Sequence, residues 1–148
     1  MVQSMETAIN IINEWIKKGD NKAILCLSYL GLEKLPRLPQ SLQRLWCYNN
    51  QIKELPQLPQ SLQILWCSNN QIKELPQLPQ SLRELNCYNN QIKELPQLPQ
   101  SLQELYCDNN QIKEPKPDTR SVSRAFSFCD KNCRKLQRGA GVYACRAG

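Results

Sequence analysis

Eight cysteines and no histidine make up the reactive inventory of this 148-residue sequence. A thiolate is a nucleophile, a metal ligand and half of a disulfide, so the spacing of the thiols decides which chemistry is open. Cys47, Cys67, Cys87 and Cys107 recur every 20 residues, each two positions after a leucine. That is the spacing of small, soft residues on the buried side of stacked strands, not of a disulfide framework. Cys129, Cys133 and Cys145 form a second group near the end of the chain. A structural zinc site wants four Cys or His ligands in two close pairs, which three cysteines without a histidine do not supply. The lack of histidine also removes the commonest general base. There is no Gly-rich phosphate loop, no paired-carboxylate constellation and no Cys/His couple. The expectation is a non-enzymatic protein with no catalytic residue, no metal and no cofactor. Free thiols in this number fit a reducing compartment, so a cytoplasmic location is expected.

The element that spaces the first group of cysteines is a repeat. From Ser41 to Glu114 a 20-residue unit is written almost identically four times, beginning SLQRLWCYNNQIKELPQLPQ. An internal period of this length marks a stacked architecture in which each unit buries its apolar face only against its neighbours. In Leu45-Trp46-Cys47-Tyr48 the apolar Leu and Cys alternate with residues of another kind, the pattern of a strand with one buried face. Asn50, Asn70, Asn90 and Asn110 stand where the chain leaves that strand, and an amide there can both donate to and accept from the backbone of adjacent coils. The two prolines per unit exclude a helix on the return path and favour extended, polyproline-like chain from which Leu55 and Leu58 point inward.

The L-x-x-L-x-C-x-x-N-x-I spacing, carried by Leu42, Leu45, Cys47, Asn50 and Ile52, is similar to that of a leucine-rich repeat. The following Leu55-Pro56 and Leu58-Pro59 make it resemble the shortest class of such repeats, known from bacterial effector proteins, with similar repeats in giant DNA viruses of amoebae. The resemblance implies an α/β, β-rich solenoid with a parallel concave sheet of about five strands, an extended convex side and helical caps. It further implies a protein-protein interaction module, in a pathogen or viral host-interaction protein acting in the host-cell cytosol. Some bacterial relatives carry a ubiquitin-ligase domain with a catalytic Cys-x-Asp motif. Here Cys129-Asp130 lacks the spacer, and the 34 residues after Glu114 are too few for such a domain.

Aligned on one another, the four units differ only at the positions of Gln43, Arg44, Trp46 and Tyr48. Strand alternation turns 44, 46 and 48 away from the core, whereas exposed return-path positions such as Gln51, Lys53, Glu54 and Gln57 do not vary. Drift on a permissive surface would touch both sides, so the concave face is the expected binding surface. Arg44, Trp46, Tyr48, Ile64 and Trp66 form its aromatic and apolar half, the composition of binding hot spots. Glu84, Glu104 and Asp108 add negative charge around Tyr88 and Tyr106. A partner segment apolar at one end and basic at the other fits this surface.

Three segments follow. Residues 1–20 are expected to be an N-terminal cap: Ser4 to Lys18 reads as an amphipathic helix with Met5, Ala8, Ile12, Trp15 and Ile16 on one face and Ser4 as N-cap. Residues 21–114 hold five repeats, the first degenerate from Ala23 to Gln40, where Leu27 takes the place of Cys47 and Cys26 faces outward. Residues 115–148 form a basic tail. The net charge of +6 lies wholly there, because residues 1–114 balance eleven basic against eleven acidic residues. Ser121 to Leu136 reads as a second amphipathic helix that covers the last coil, and residues 139–148 read as disordered. A second copy joined edge to edge is the alternative cover for that coil, so a monomer or an edge-mediated homodimer is expected. A second functional reading makes residues 121–146 a basic surface for nucleic acid or anionic membrane. No secretory signal is visible in Met1–Asp20, and no apolar run is long enough to span a membrane.

Overall fold

A computed structural model of the chain describes residues 2–113, 133–139 and 142–147. It begins with helix α1 (Val2–Lys18), followed by the short strands β1 (Ile24–Cys26), β2 (Arg44–Trp46), β3 (Ile64–Trp66), β4 (Glu84–Asn86) and β5 (Glu104–Tyr106), then β6 (Cys133–Gly139) and β7 (Val142–Ala147). The first five strands lie side by side in chain order and pair in parallel, each shifted by one repeat: Leu25, Leu45, Leu65, Leu85 and Leu105 are successive partners. All five leucines are fully buried. This is the solenoid with a parallel concave sheet that the repeat implies.

Each coil is closed by the same few contacts. After the strand, the residue before the ladder asparagine takes a left-handed conformation, with φ of 54, 53, 52 and 54° at Asn49, Asn69, Asn89 and Asn109. Asparagine enters this region more readily than most side chains, which is how the chain leaves a strand only three residues long. The next asparagine then bonds backbone on both sides of it. Asn70 Oδ1 accepts from the Ile52 N–H at 2.9 Å, and its Nδ2 donates to the carbonyls of Cys47 and Cys67 at 3.0 Å each. Asn50, Asn90 and Asn110 repeat the arrangement. The return path carries no helix among the described residues, and Leu35, Leu38, Leu55, Leu58, Leu75 and Leu78 drop from it into the core.

A second ladder comes from the residue that opens each unit. The hydroxyl of Ser61 is 2.7 Å from the carbonyls of both Gln40 and Leu42, and Ser81 and Ser101 repeat this geometry one and two coils on. Its signal in the sequence is the unvaried Ser at the head of every unit. The cysteines go where their spacing puts them: Cys47, Cys67 and Cys87 are buried, Cys107 in the last coil is half-buried, and Cys26 is exposed.

At the amino end, α1 covers the first coil with Ala8, Ile12 and Trp15, and Trp15 Nε1–H donates to the Ala23 carbonyl at 3.1 Å. Two details differ from expectation. The helix starts at Val2, so Ser4 lies within its first turn and does not cap it. Ile16 is 53% exposed, and Ile11 packs in its place. At about 100° per residue, positions 8, 11, 12 and 15 form the narrow stripe that meets the coil, leaving 9 and 16 on its flank. Gly19, with φ of 67°, ends the helix in the left-handed geometry that glycine adopts without penalty.

The carboxyl end is corrected more substantially. Of the helix expected over Ser121 to Leu136, residues 121–132 lie outside the described residues. Residues 133–136 belong to β6, a strand that pairs antiparallel with β5 through Glu104↔Gln137 and Leu105↔Leu136. β7 then pairs antiparallel with β6, so residues 142–147, expected to be disordered, are the seventh strand of the sheet. The physical reason is the open edge of β5. A strand satisfies its row of free N–H and C=O groups directly, whereas the apolar face of a helix would leave them unpaired. α1 is therefore the one helix among the described residues, not the first of two caps. No helix there is long and apolar enough to cross a membrane.

Candidate binding surface

The face opposite the buried leucines is built in rows by the parallel register. Arg44, Ile64, Glu84 and Glu104 are successive partners in one row; Trp46, Trp66, Asn86 and Tyr106 form the next. Tyr48, Ser68, Tyr88 and Asp108 follow two residues further along, past Cys47 and its equivalents. Because strands in a parallel sheet are about 4.8 Å apart, side chains in one row meet their neighbours directly. All ten residues singled out from the sequence belong to these rows, and each is at least partly exposed.

The rings are not independent. Trp46 and Trp66 stack with centroids 4.8 Å apart and planes 8° from parallel. Tyr48 lies 6.2 Å from Trp46 at a tilt of 51°, and Tyr29 meets Tyr48 edge to face at 5.5 Å. Four rings from three successive coils thus make one continuous aromatic surface. Tyr29 was not foreseen. It holds the position that Asn49 fills one coil later, and it adopts the same left-handed backbone at φ 61° while 71% exposed. A bulky residue there is uncommon and costs about 1–2 kcal/mol. The departure from the repeat at that position was the signal available in the sequence.

The acidic half is tied to the aromatic half instead of lying apart from it. Trp66 Nε1–H donates to Glu84 Oε1 at 2.8 Å, and the Tyr106 hydroxyl donates to Glu104 Oε2 at 2.9 Å. Tyr88 is held from the side by Asn109, whose Nδ2 donates to its hydroxyl at 2.7 Å. Arg83 and Gln63 were also missed: with Arg44, Ile64, Glu84 and Glu104 they line a shallow hollow at the amino ends of the strands. That rim therefore mixes both signs of charge. Among the described residues no group of His, Cys, Asp and Glu side chains is arranged to hold a metal ion.

The model of two-copy leucine-rich repeats matches residues 40–80, 60–100 and 80–117. The chain belongs to the leucine-rich repeat family. No curated protein sequence is significantly similar to it. Among solved structures, this leucine-rich repeat protein is similar to a Shigella effector LRR domain, with 33% identity and a TM-score of 0.70 over 75% of this chain and 50% of the other. It is similar to the leucine-rich effector YopM of Yersinia pestis at 33% identity and a TM-score of 0.64, over 72% of this chain and 36% of that one. YopM from Yersinia enterocolitica WA-314 shares 45% identity with a TM-score of 0.52, over 52% of this chain and 17% of that one. The chain thus spans half or less of each of these structures. Its repeats are of the bacterial-effector type, and leucine-rich repeat domains generally bind protein partners.

Proposed function

We propose that the protein is a non-enzymatic interaction module that grips a protein partner on its concave sheet. The observation carrying this reading is the confinement of sequence variation. The unit changes only at positions around and on the strands, while the convex string QIKELPQLPQ is kept letter for letter in three units. On the variable side, the aromatic surface of Tyr29, Tyr48, Trp46 and Trp66 runs into Glu84 and Glu104. An extended segment of a partner, apolar toward the first coils and basic toward the last, matches that order of side chains. The similarity to effector repeats supports a role in contact with host proteins, and the buried free thiols support work in a reducing compartment.

Affinity capture from a host-cell extract tests the reading. Wild type is compared with Trp46→Ala/Trp66→Ala and with a convex control, Lys53→Ala/Lys73→Ala. A partner retained by the control and lost by the tryptophan variant is expected. Salt-sensitive capture that survives loss of both tryptophans, but not removal of residues 121–146, would move the function to the basic tail.

A further inference from the structure

Tyr29 is the residue of this face that the coil does least to explain. At the same place the later units carry Asn49, Asn69, Asn89 and Asn109, all in the left-handed conformation that asparagine tolerates. Tyr29 takes that conformation too, at φ 61°, and leaves its ring 71% exposed. A bulky residue held in sparsely populated backbone space, whose ring gains one edge contact among the described residues, points to a use outside the coil. That contact also shapes the surface. The Tyr29 and Tyr48 rings meet 83° from parallel with centroids 5.5 Å apart, so two ring faces bound a corner. Beside it, Tyr48 lies 6.2 Å from Trp46, and Trp46 stacks on Trp66 at 4.8 Å.

The polar ends of these rings narrow the choice of ligand. Trp66 Nε1–H is taken by Glu84. The Trp46 Nε1–H and the hydroxyls of Tyr29 and Tyr48 make no hydrogen bond among the described residues. All three can donate. A matching segment is therefore apolar and rich in carbonyl acceptors, with few N–H groups of its own. A β-strand brings as many donors as acceptors, and a helix bonds its carbonyls internally. A polyproline segment fits: it has no internal hydrogen bonds, its backbone faces outward, and proline has no N–H. Aromatic-lined grooves hold proline-rich chains in this way. The pitch agrees as well. Three residues of a polyproline helix rise about 9.3 Å, and two strand spacings come to about 9.6 Å. Residues i and i+3 of a segment crossing the strands thus meet alternate coils, that of Tyr29 and that of Trp66.

We propose that the corner between Tyr29 and Tyr48, with Trp46 beside it, docks a proline-rich segment of the protein partner in the polyproline conformation. The proposal rests on the concave-face reading and names the chemistry of the apolar end of that partner. The full chain, labelled with nitrogen-15, is titrated with N-acetyl-hexa-L-proline amide and with its mirror image built from D-proline, following the Trp46 indole N–H. The two peptides have the same composition and apolar surface, so only the fit of a handed chain to the rings and donors separates them. Saturable binding of the L-form is expected with Kd on the order of millimolar, and at least about fivefold tighter than the D-form. Tyr29→Asn and Tyr48→Ser each insert the residue found at the same place in another unit, as at Asn49 and Ser68, so both are compatible with the coil. Each should weaken binding of the L-form at least about fivefold. Equal response to the two forms, undiminished binding by either variant, or no saturable shift at Trp46 overturns the dock. Those results combined with capture that still depends on Trp46 and Trp66 would leave the concave surface standing without it. Proline binding combined with capture indifferent to both tryptophans would overturn the wider reading instead.

Discussion

Asn70 shows what a single side chain does in a coil of 20 residues. Its amide satisfies the Ile52 N–H on one coil and the carbonyls of Cys47, Cys67 and Ser68 across two. Removing it takes away the side chain that bonds all of these backbone groups at once. Asn70→Ala is expected to cost on the order of 1–3 kcal/mol, whereas Gln71→Ala next to it should cost almost nothing. Equal urea midpoints for the two variants would contradict the ladder. The role of these asparagines was legible in the sequence, because an amide at a fixed offset from a strand, once per repeat, has little else to do. Tyr29 was not legible in the same way. It departs from the asparagine that the later units keep at this position, and its contact with Tyr48 depends on two coils being stacked.

At the scale of the element, a strand is too short to be stable alone, and what holds it is the stack. The buried thiols report on that stack. Burial pushes the Cys47 thiol up to about 12, with a smaller contribution from Cys26, and burial likewise holds Cys67 and Cys87 well above the usual thiol range. The unfolded chain releases these protons near pH 8.5, while the folded chain keeps them. Folding stability should therefore be unaffected below that value and fall as pH rises from there toward about 12, by up to about 1.4 kcal/mol per unit for each thiol. Urea unfolding of reduced protein at about pH 7.5 and about pH 10 checks this against Cys67→Ala, which starts less stable but should lose less on the way up. Identical losses would contradict the burial of Cys67. The alternation of Leu and Cys made these strands readable, though their observed length of three residues was set by the left-handed turn at Asn49 and its equivalents. The segment before Gly139 was misread for a different reason. Cys133 and Leu136 have helical spacing, but the open edge of β5 supplies backbone partners that outweigh local pattern, and no local reading contains that edge.

The whole molecule is a one-sided object. Ladders of Asn and Ser and a core of Leu, Ile and Cys fix the coils, α1 covers one end of the stack, and β6 and β7 extend its sheet at the other. The convex side repeats without change through three coils, and the concave side carries a different set of rings and charges on each strand. The fold followed from the period itself. The candidate surface was legible as a set of positions, but the joining of its aromatic and acidic halves through Trp66 and Glu84 needed the register between strands. Site-specific photo-cross-linking shows which face of the solenoid meets a partner. A photoreactive residue is placed at Tyr48 on the concave face or at Gln57 on the convex face, and adducts are collected from a host-cell extract. The expected result is a discrete protein adduct from position 48 that disappears in the Trp46→Ala/Trp66→Ala background, with little from position 57. An adduct formed equally from both positions, or preferentially from position 57, would contradict a partner held on the concave sheet.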